Sequence, residues 1–482
     1  MSQFPHPVLD ATPFKEYAPN DNVDVIVVGA GLSGLKAGYE VQQSGLSCLI
    51  IEARDRVGGK TWSVDPLGKG FGVDVGAAWI NDTTQAKVYE LTRFLGLETV
   101  FQNTKGNVLQ EDLGMDLCSF SYGSVPEKLA ESGGVDNMVY IRDLAEKVCQ
   151  TLDIHDPVGS GGDLDKYTLR EWAERNGAGR TAIASVSVWT RAMLGLEPSD
   201  VSALFFLNYL KSGGGLMRMR SDSKDGGQYM RLVKGTQSLS IGLAGLLQPG
   251  SLILNSPVLE INQNFYGATV VTGRGTFTSR KVIVSVPTPL YKEISFSPPL
   301  PYAKQQLSSA NILGYTCKVM ILFAEPWWRS KNFTGVLQSF EGPISVTRDS
   351  SVDSKGHYSM TCFVVGKPGV ELSKKSQQDR FAAVLEQLNR CFGPSMGGSI
   401  PEPLAMTEHE WAKDHWAQGC PCPAAPPGAM TKFGHALRTP HANVHFVGTE
   451  TAFEWKGYMD GAIRSGERGA REVVSELSKA KL

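Results

Sequence analysis

The sequence lacks the features that mark several large classes of protein. Its 482 residues carry 47 Lys and Arg against 49 Asp and Glu, a net charge of −2. No basic field exists to gather nucleic acid or anionic lipid, so the expected partner is a small molecule, not nucleic acid. No uninterrupted apolar run reaches bilayer-spanning length, and no membrane span is expected. Met1–Asn22 lacks a basic stretch followed by an apolar core and does not look like a secretory signal. Cysteine is sparse and scattered, at positions 48, 118, 149, 317, 362, 391, 420 and 422. That pattern points to free thiols in a reducing compartment and away from a disulfide framework. The histidines show no metal-ligand spacing, so no metal site is expected. Neither a G-x-S-x-G nucleophile elbow nor a Walker phosphate loop is present. The glycosylation-type triplets at Asn81 and Asn332 read as chance matches without a signal. Internal repeats and low-complexity segments are also missing.

What is present is an ordinary globular composition, 41% hydrophobic and 20% charged, in a chain long enough for two or three domains. Val23–Val28 is a β-branched run of the kind buried on both faces of a parallel sheet. Gly29-Ala30-Gly31 follows, then a helix over Leu32–Gln43, a stop at Gly45 and a strand over Ser47–Ile51, which together make a βαβ unit. Thr168-x-x-Glu171 is a capping-box start and Gly177 a stop. Helical patterns run through Ala182–Leu194 and Val201–Leu210. Residues 252–300 return to strands: Leu252–Leu254, Val258–Asn262, Ala268–Thr272 and Val282–Val286. A helix is predicted over Ser376–Cys391 and a strand over Val444–Val447. The last helix starts near Tyr458 and carries Met459, Ala462, Ile463, Gly466, Ala470, Val473, Val474 and Leu477 on one stripe.

Gly29-Ala-Gly31-Leu-Ser-Gly34 sits between strand and helix. The first glycine permits a tight turn and the second lets a pyrophosphate approach bare backbone. The third lets helix and strand pack closely, with the phosphates at the helix's positive end. Glu52 ends the second strand, 52 − 29 = 23 positions on, where a carboxylate can bind both ribose hydroxyls and disfavour a 2′-phosphate. FAD and NAD sites share that much. The continuation Arg54-Asp-Arg56-Val-Gly58-Gly59-Lys60-Thr61 favours FAD, because a second glycine pair lets backbone run along the pyrophosphate and ribityl chain. Arg54, Arg56 and Lys60 offer cations there.

These motifs, taken in order along the chain, resemble those of the flavin monoamine oxidase family, with the soluble, peroxisomal fungal type and the animal mitochondrial enzymes as the nearest patterns. Lys60 departs from that family's usual arginine, keeping a point charge without a bidentate grip. Asp74-Val-Gly76-Ala77-Ala78-Trp79 is similar to the segment that passes the isoalloxazine. Val201–Leu210 and Gly226-Gly227-Gln228 are similar to the substrate helix and cavity loop, and Cys317-Lys318 before Glu325-Pro-Trp-Trp to the strand bearing the family lysine. Gly448-Thr-Glu450, then Trp455-Lys-Gly-Tyr458-Met459, resembles the closing turn and helix over the flavin ring. The resemblance implies an α/β fold: a Rossmann-like FAD domain from residues 1–83, 231–300 and 405–482, with an α+β substrate domain from 84–230 and 301–404. With Val258, these segments complete the residues expected at FAD.

The resemblance also implies an oxidase that moves a hydride from an amine α-carbon to flavin N5, giving an imine, with O₂ reduced to H₂O₂. Lys318 would hold a water at N5 and Tyr458 would form one aromatic wall steering the amine; read alone, Lys318 is an edge-strand lysine reaching solvent. Gln228 would orient the substrate nitrogen. The second aromatic wall falls on Pro421, which leaves room for a bulkier or indolic amine and keeps an oxidative cyclase or desaturase open. A flavoprotein scaffold without turnover is another reading. An L-amino-acid oxidase is a third, needing a cavity cation for which Arg218 and Arg220 are candidates. Cys420 aligns with the cysteine that animal relatives join to the flavin 8α-methyl, with Cys422 a second candidate donor. Ala480-Lys481-Leu482 is one substitution from the Ser-Lys-Leu address, so a peroxisomal import receptor is an expected partner and the peroxisome the expected location, the cytoplasm otherwise. A homo-oligomer stays open.

Overall fold

The computed structural model describes residues 22–479, and the tripeptide Ala480-Lys481-Leu482 lies outside the described residues. Asn22–Val28 has parallel partners on both sides, Cys48–Ile51 and Gly275–Val284, and Val444–Phe446 also runs parallel to the latter. Val25, Ile26 and Val27 are fully buried, as the unbroken β-branched run requires of a strand covered on both faces. Leu252–Ile253 borders one side of this eight-stranded sheet; antiparallel Gly267–Thr272 and Val258–Asn264, then Ser295–Ser297, extend the other. Helix Leu32–Gln43 forms over the expected residues. It packs against the terminal helix, Met459–Lys479, whose buried residues include Met459, Ile463, Gly466, Ala470, Val473 and Leu477. Ala462 and Val474 lie half-buried on the same stripe. A Cβ on Gly466 would meet the Ser33 carbonyl oxygen at 2.4 Å, so glycine lets the two backbones touch.

A second sheet has seven strands, with Thr316–Phe323 between Tyr358–Val365 and Ala405–Glu410. Ala405–Glu410, expected among the FAD-binding segments, pairs into this sheet. Helices Gly134–Thr151, Arg180–Leu194 and Ala203–Ser212 pack beside it around Trp189, Phe206 and Tyr209. Thr168 and Glu171 form the capping box of a short helix, Leu169–Arg175, which ends before Gly177 as expected. The helix expected over Ser376–Cys391 runs on to Met396. All eight cysteines are free thiols. Among the described residues, no helix is long and apolar enough to cross a membrane.

Candidate active site

One elongated cavity runs from the glycine turn on the first sheet to the central strands of the second. Gly29 and Gly31 line one end, and Gly29 takes φ +99°, a conformation that favours glycine. Gly31 is the N-cap of helix Leu32–Gln43 and supplies no side-chain cap, so the helix's first N–H groups are uncapped. Gly34 does not line the cavity. A Cβ there would sit 2.0 Å from the Gly29 carbonyl oxygen, so it serves the close packing of helix on strand.

Glu52 is buried beside this turn, its carboxylate accepting from the Ala30 N–H at 2.6 Å and the Arg54 N–H at 2.9 Å. Gly58 donates to the Ala30 carbonyl at 2.8 Å, which sets the second glycine pair against the first. Arg54 lines the cavity and pairs with Asp414. Burial works against that carboxylate's charge, but a hydrogen bond from His409 and the Arg54 guanidinium hold it down to about 2. Arg56, expected to offer its charge to the cofactor, does not line the cavity. It donates to the Gly59 carbonyl at 3.0 Å and lies 4.3 Å over the Trp62 ring, bracing the loop. Lys60 lines the cavity and donates to the Pro421 carbonyl at 3.1 Å, tying the glycine loop to the Cys420 segment.

Ala77, Ala78, Trp79, Val258, Cys420, Gly448, Glu450 and Met459 all line the same cavity. Glu450 accepts from the Thr288 N–H at 3.0 Å, and burial raises its pKa. Burial also pushes the Cys420 thiol up, against the pull of Lys60 and Lys318.

Lys318 does not reach solvent. Its strand is flanked on both sides and every residue of it is buried, with Lys318 paired to Phe363 and His409. The ammonium donates to the Gly76 carbonyl at 2.5 Å and lies 4.6 Å from the Trp79 ring centre. Burial, opposed chiefly by Asp74, lowers its pKa to about 8. Tyr458 faces the same space, stacked 6.3 Å from Tyr209 and donating to the Met219 carbonyl at 3.3 Å. The same carbonyl accepts from Gln228 Nε2 at 2.8 Å, while the buried Gln228 Oε1 has no partner among the described residues.

Several contributors escape a reading of the sequence. Asp74 is buried and accepts from Ser63 and Thr236, and its charge is the largest influence opposing burial at Lys318. Asn81, fully buried, donates to the carbonyls of Lys224 and Gly226 at 2.7 Å, so it holds the Gln228 loop and is closed to glycosylation. Tyr209 and Arg348 also line the cavity. An i, i+4 or loop pattern could have flagged none of these, since each depends on contacts distant in sequence.

The residues present fit a flavin dinucleotide. A Cβ added at Gly31 would meet no protein atom within 4 Å, so bare backbone there faces open space beside an uncapped helix end. Glu52 stands beside that turn, and the cavity continues without interruption to Lys318 and Tyr458. Residues 32–474 match the family described as flavin containing amine oxidoreductase. The chain is 31% identical to the flavin-containing amine oxidase A of Sus scrofa, over 95% of this chain and 86% of that protein. It is 29% identical to the flavin-containing amine oxidase B of Homo sapiens, over 95% and 88%. Its fold is similar to that of cyclohexylamine oxidase from Brevibacterium oxydans, with a TM-score of 0.88 and 26% identity over 95% of this chain and all of that one. An α/β chain with this cavity, these glycine turns and these relatives belongs to the flavin-containing amine oxidoreductase family, an oxidoreductase acting on amines with FAD as its cofactor.

Proposed function

We propose that this chain oxidises a small amine at its α-carbon to an imine, with O₂ as the final acceptor and H₂O₂ as product. FAD, held by Gly29, Gly31, Glu52, Gly58, Gly59 and Lys60, supplies the hydride acceptor and the carrier that O₂ reoxidises. The observation that carries this reading is the single cavity that joins the glycine turns to Gln228 and Tyr458, with Lys318 entering from the opposite sheet. Gln228 accepts from the amine N–H, and its own amide is fixed by Met219, so the acceptor is pre-oriented. Tyr458 offers the amine an aromatic wall, backed by Tyr209 stacked against it. Lys318 presents N–H donors in a buried site, where they orient water and stabilise negative charge developing on oxygen. Tyr458 stays protonated because burial raises its pKa. The test is an anaerobic screen of amines against the flavin absorbance of the purified protein. Bleaching by an amine, with an imine-derived carbonyl compound and H₂O₂ on readmitting air, is expected; a flavin that no amine reduces refutes the reading.

Cys420 is proposed to attach FAD covalently, since its thiol lines the cavity beside Lys60 and Lys318. Yellow colour that stays with the denatured polypeptide, and leaves it in Cys420→Ala, is expected; colour lost wholly to the supernatant refutes it. Pro421 stands in the cavity where the resemblance expected an aromatic wall, which favours bulkier amines over benzylamine-like ones.

A further inference from the structure

We infer that Arg220 receives a carboxylate, so the preferred substrates are amines that carry an acidic group and not simple amines or diamines; the inference rests on the cavity's reading as an amine-oxidising site. Arg220 directly follows Met219, whose carbonyl holds both Tyr458 and Gln228, and it lines the cavity. Its Nη2 donates to the Gln338 amide oxygen at 3.0 Å, and it makes no ion pair with a carboxylate among the described residues. A guanidinium in such a place is poorly solvated and normally finds an anion.

The charges around it leave that anion missing. Arg348 also lines this part of the cavity, with Nε 3.0 Å from Asp222 Oδ1. Asp222 additionally accepts from the Tyr122 hydroxyl at 2.9 Å. One carboxylate, paired with Arg348, therefore stands against two guanidiniums, and Lys318 is a further cation of the cavity wall away from the dinucleotide side. The cavity's own acids belong to the dinucleotide side: Glu52 is bound to Ala30, Glu450 to Thr288 and Glu293 to Gln418. Burial, with Arg348 adding to it, lowers the Arg220 pKa only to about 10, so the side chain is charged at neutral pH. Nearby walls are apolar: Ala192, Met193, Val346 and Phe363.

That arrangement has a chemical consequence. The second ammonium of a diamine would meet Arg220 and Arg348 with only half their charge answered, and would be repelled. A carboxylate would complete the pairing, and the planar fork of arginine suits two parallel hydrogen bonds to it. The matching molecule has an apolar body, an amine and a carboxylate, as an aromatic amino acid has.

The experiment uses the FAD-loaded enzyme with two isosteric probes that cannot be oxidised, indole-3-propionate and indole-3-propionamide. Binding is read by calorimetry and by the flavin difference spectrum, in wild type, Arg220→Met and Arg220→Lys. Wild type should favour the carboxylate by about ten- to a hundredfold, the value of a charge-assisted hydrogen bond. The preference should collapse in Arg220→Met, survive in part in Arg220→Lys and weaken with salt. A wild-type enzyme that binds both probes alike, or an Arg220→Met that keeps the preference, overturns the inference. If Arg220→Met does not fold, the wild-type ratio and Arg220→Lys still decide. Tryptophan and tryptamine are compared in parallel, with a higher kcat/KM expected for tryptophan. Selective carboxylate binding with no bleaching by any amine would support Arg220 and refute the oxidase reading. Amine turnover without carboxylate preference would do the reverse.

Discussion

Two glycines of the same turn should fail in opposite ways. Gly31 has φ −70°, which alanine adopts freely, and a Cβ there would touch no protein atom within 4 Å. Gly34→Ala would instead place its methyl 2.0 Å from the Gly29 carbonyl oxygen and 2.6 Å from Ser285 Oγ. Relief there requires the helix to leave the strand end by more than an ångström, since one neighbour is backbone. Overpacking of this kind costs about 1–3 kcal/mol. Gly31→Ala should leave the apoprotein unchanged or gain up to about 1 kcal/mol, through a less flexible unfolded chain. Its methyl nevertheless occupies the space through which the pyrophosphate approaches backbone. A ligand at a hundred times its Kd stabilises by about 2.7 kcal/mol, and Gly31→Ala should lose most of that gain. The assay is urea unfolding with and without added FAD, in a Cys420→Ala background so that no attachment holds the flavin. The reasoning is refuted if Gly31→Ala keeps the full FAD-dependent gain, or if Gly34→Ala apoprotein is as stable as its parent.

Three further outcomes are expected. Lys318→Met should cut oxygen consumption about a hundredfold, the usual effect of removing one preorganised donor, and should erase any limb of the pH–rate profile near 8; an unchanged profile would dissociate the lysine from the chemistry. Lys304 is buried and donates to the carbonyls of Ala436 and Leu437, and burial lowers its pKa to about 7. Between that pH and the ordinary lysine range the folded chain binds fewer protons than the unfolded one, so stability should rise with pH from 7 to 8.5. Lys304→Met should make that rise less steep, with the buried Lys456, also lowered to about 7, keeping part of it, and a slope equal to the parent's would contradict the assignment. Gly466→Ala would press a methyl to 2.4 Å from the Ser33 carbonyl oxygen and 3.1 Å from the Ala37 nitrogen. The terminal helix should loosen, lowering the denaturant midpoint and FAD retention together; loss of neither would show that the helices can part freely.

The division between legible and hidden follows from the range of the interactions. Strand, glycine turn, helix and Glu52 could be read because each rests on local geometry: β-branched periodicity, a positive φ at Gly29, and a carboxylate at the end of the next strand. The terminal helix was equally plain, since its buried stripe repeats at helical spacing. Lys318 was ambiguous because a strand's neighbours decide whether a lysine meets water, and here both flanks are filled. Arg56 looked like Arg54 in the sequence, yet Trp62 and the Gly59 carbonyl claim one while the cavity takes the other.

The sequence by itself determined the nucleotide-binding unit and the order of segments around it, because short-range hydrogen bonding and hydrophobic period are written into neighbouring residues. Only the tertiary structure decided where charge is left unanswered. Arg218 and Arg220 stand two positions apart, yet Arg218 is exposed and Arg220 faces the cavity. Asn81 reaches the Gly226 carbonyl to fix the loop that carries Gln228. Burial and charge pairing depend on groups brought together from distant parts of the chain, and no local pattern encodes which of two like residues will meet its partner.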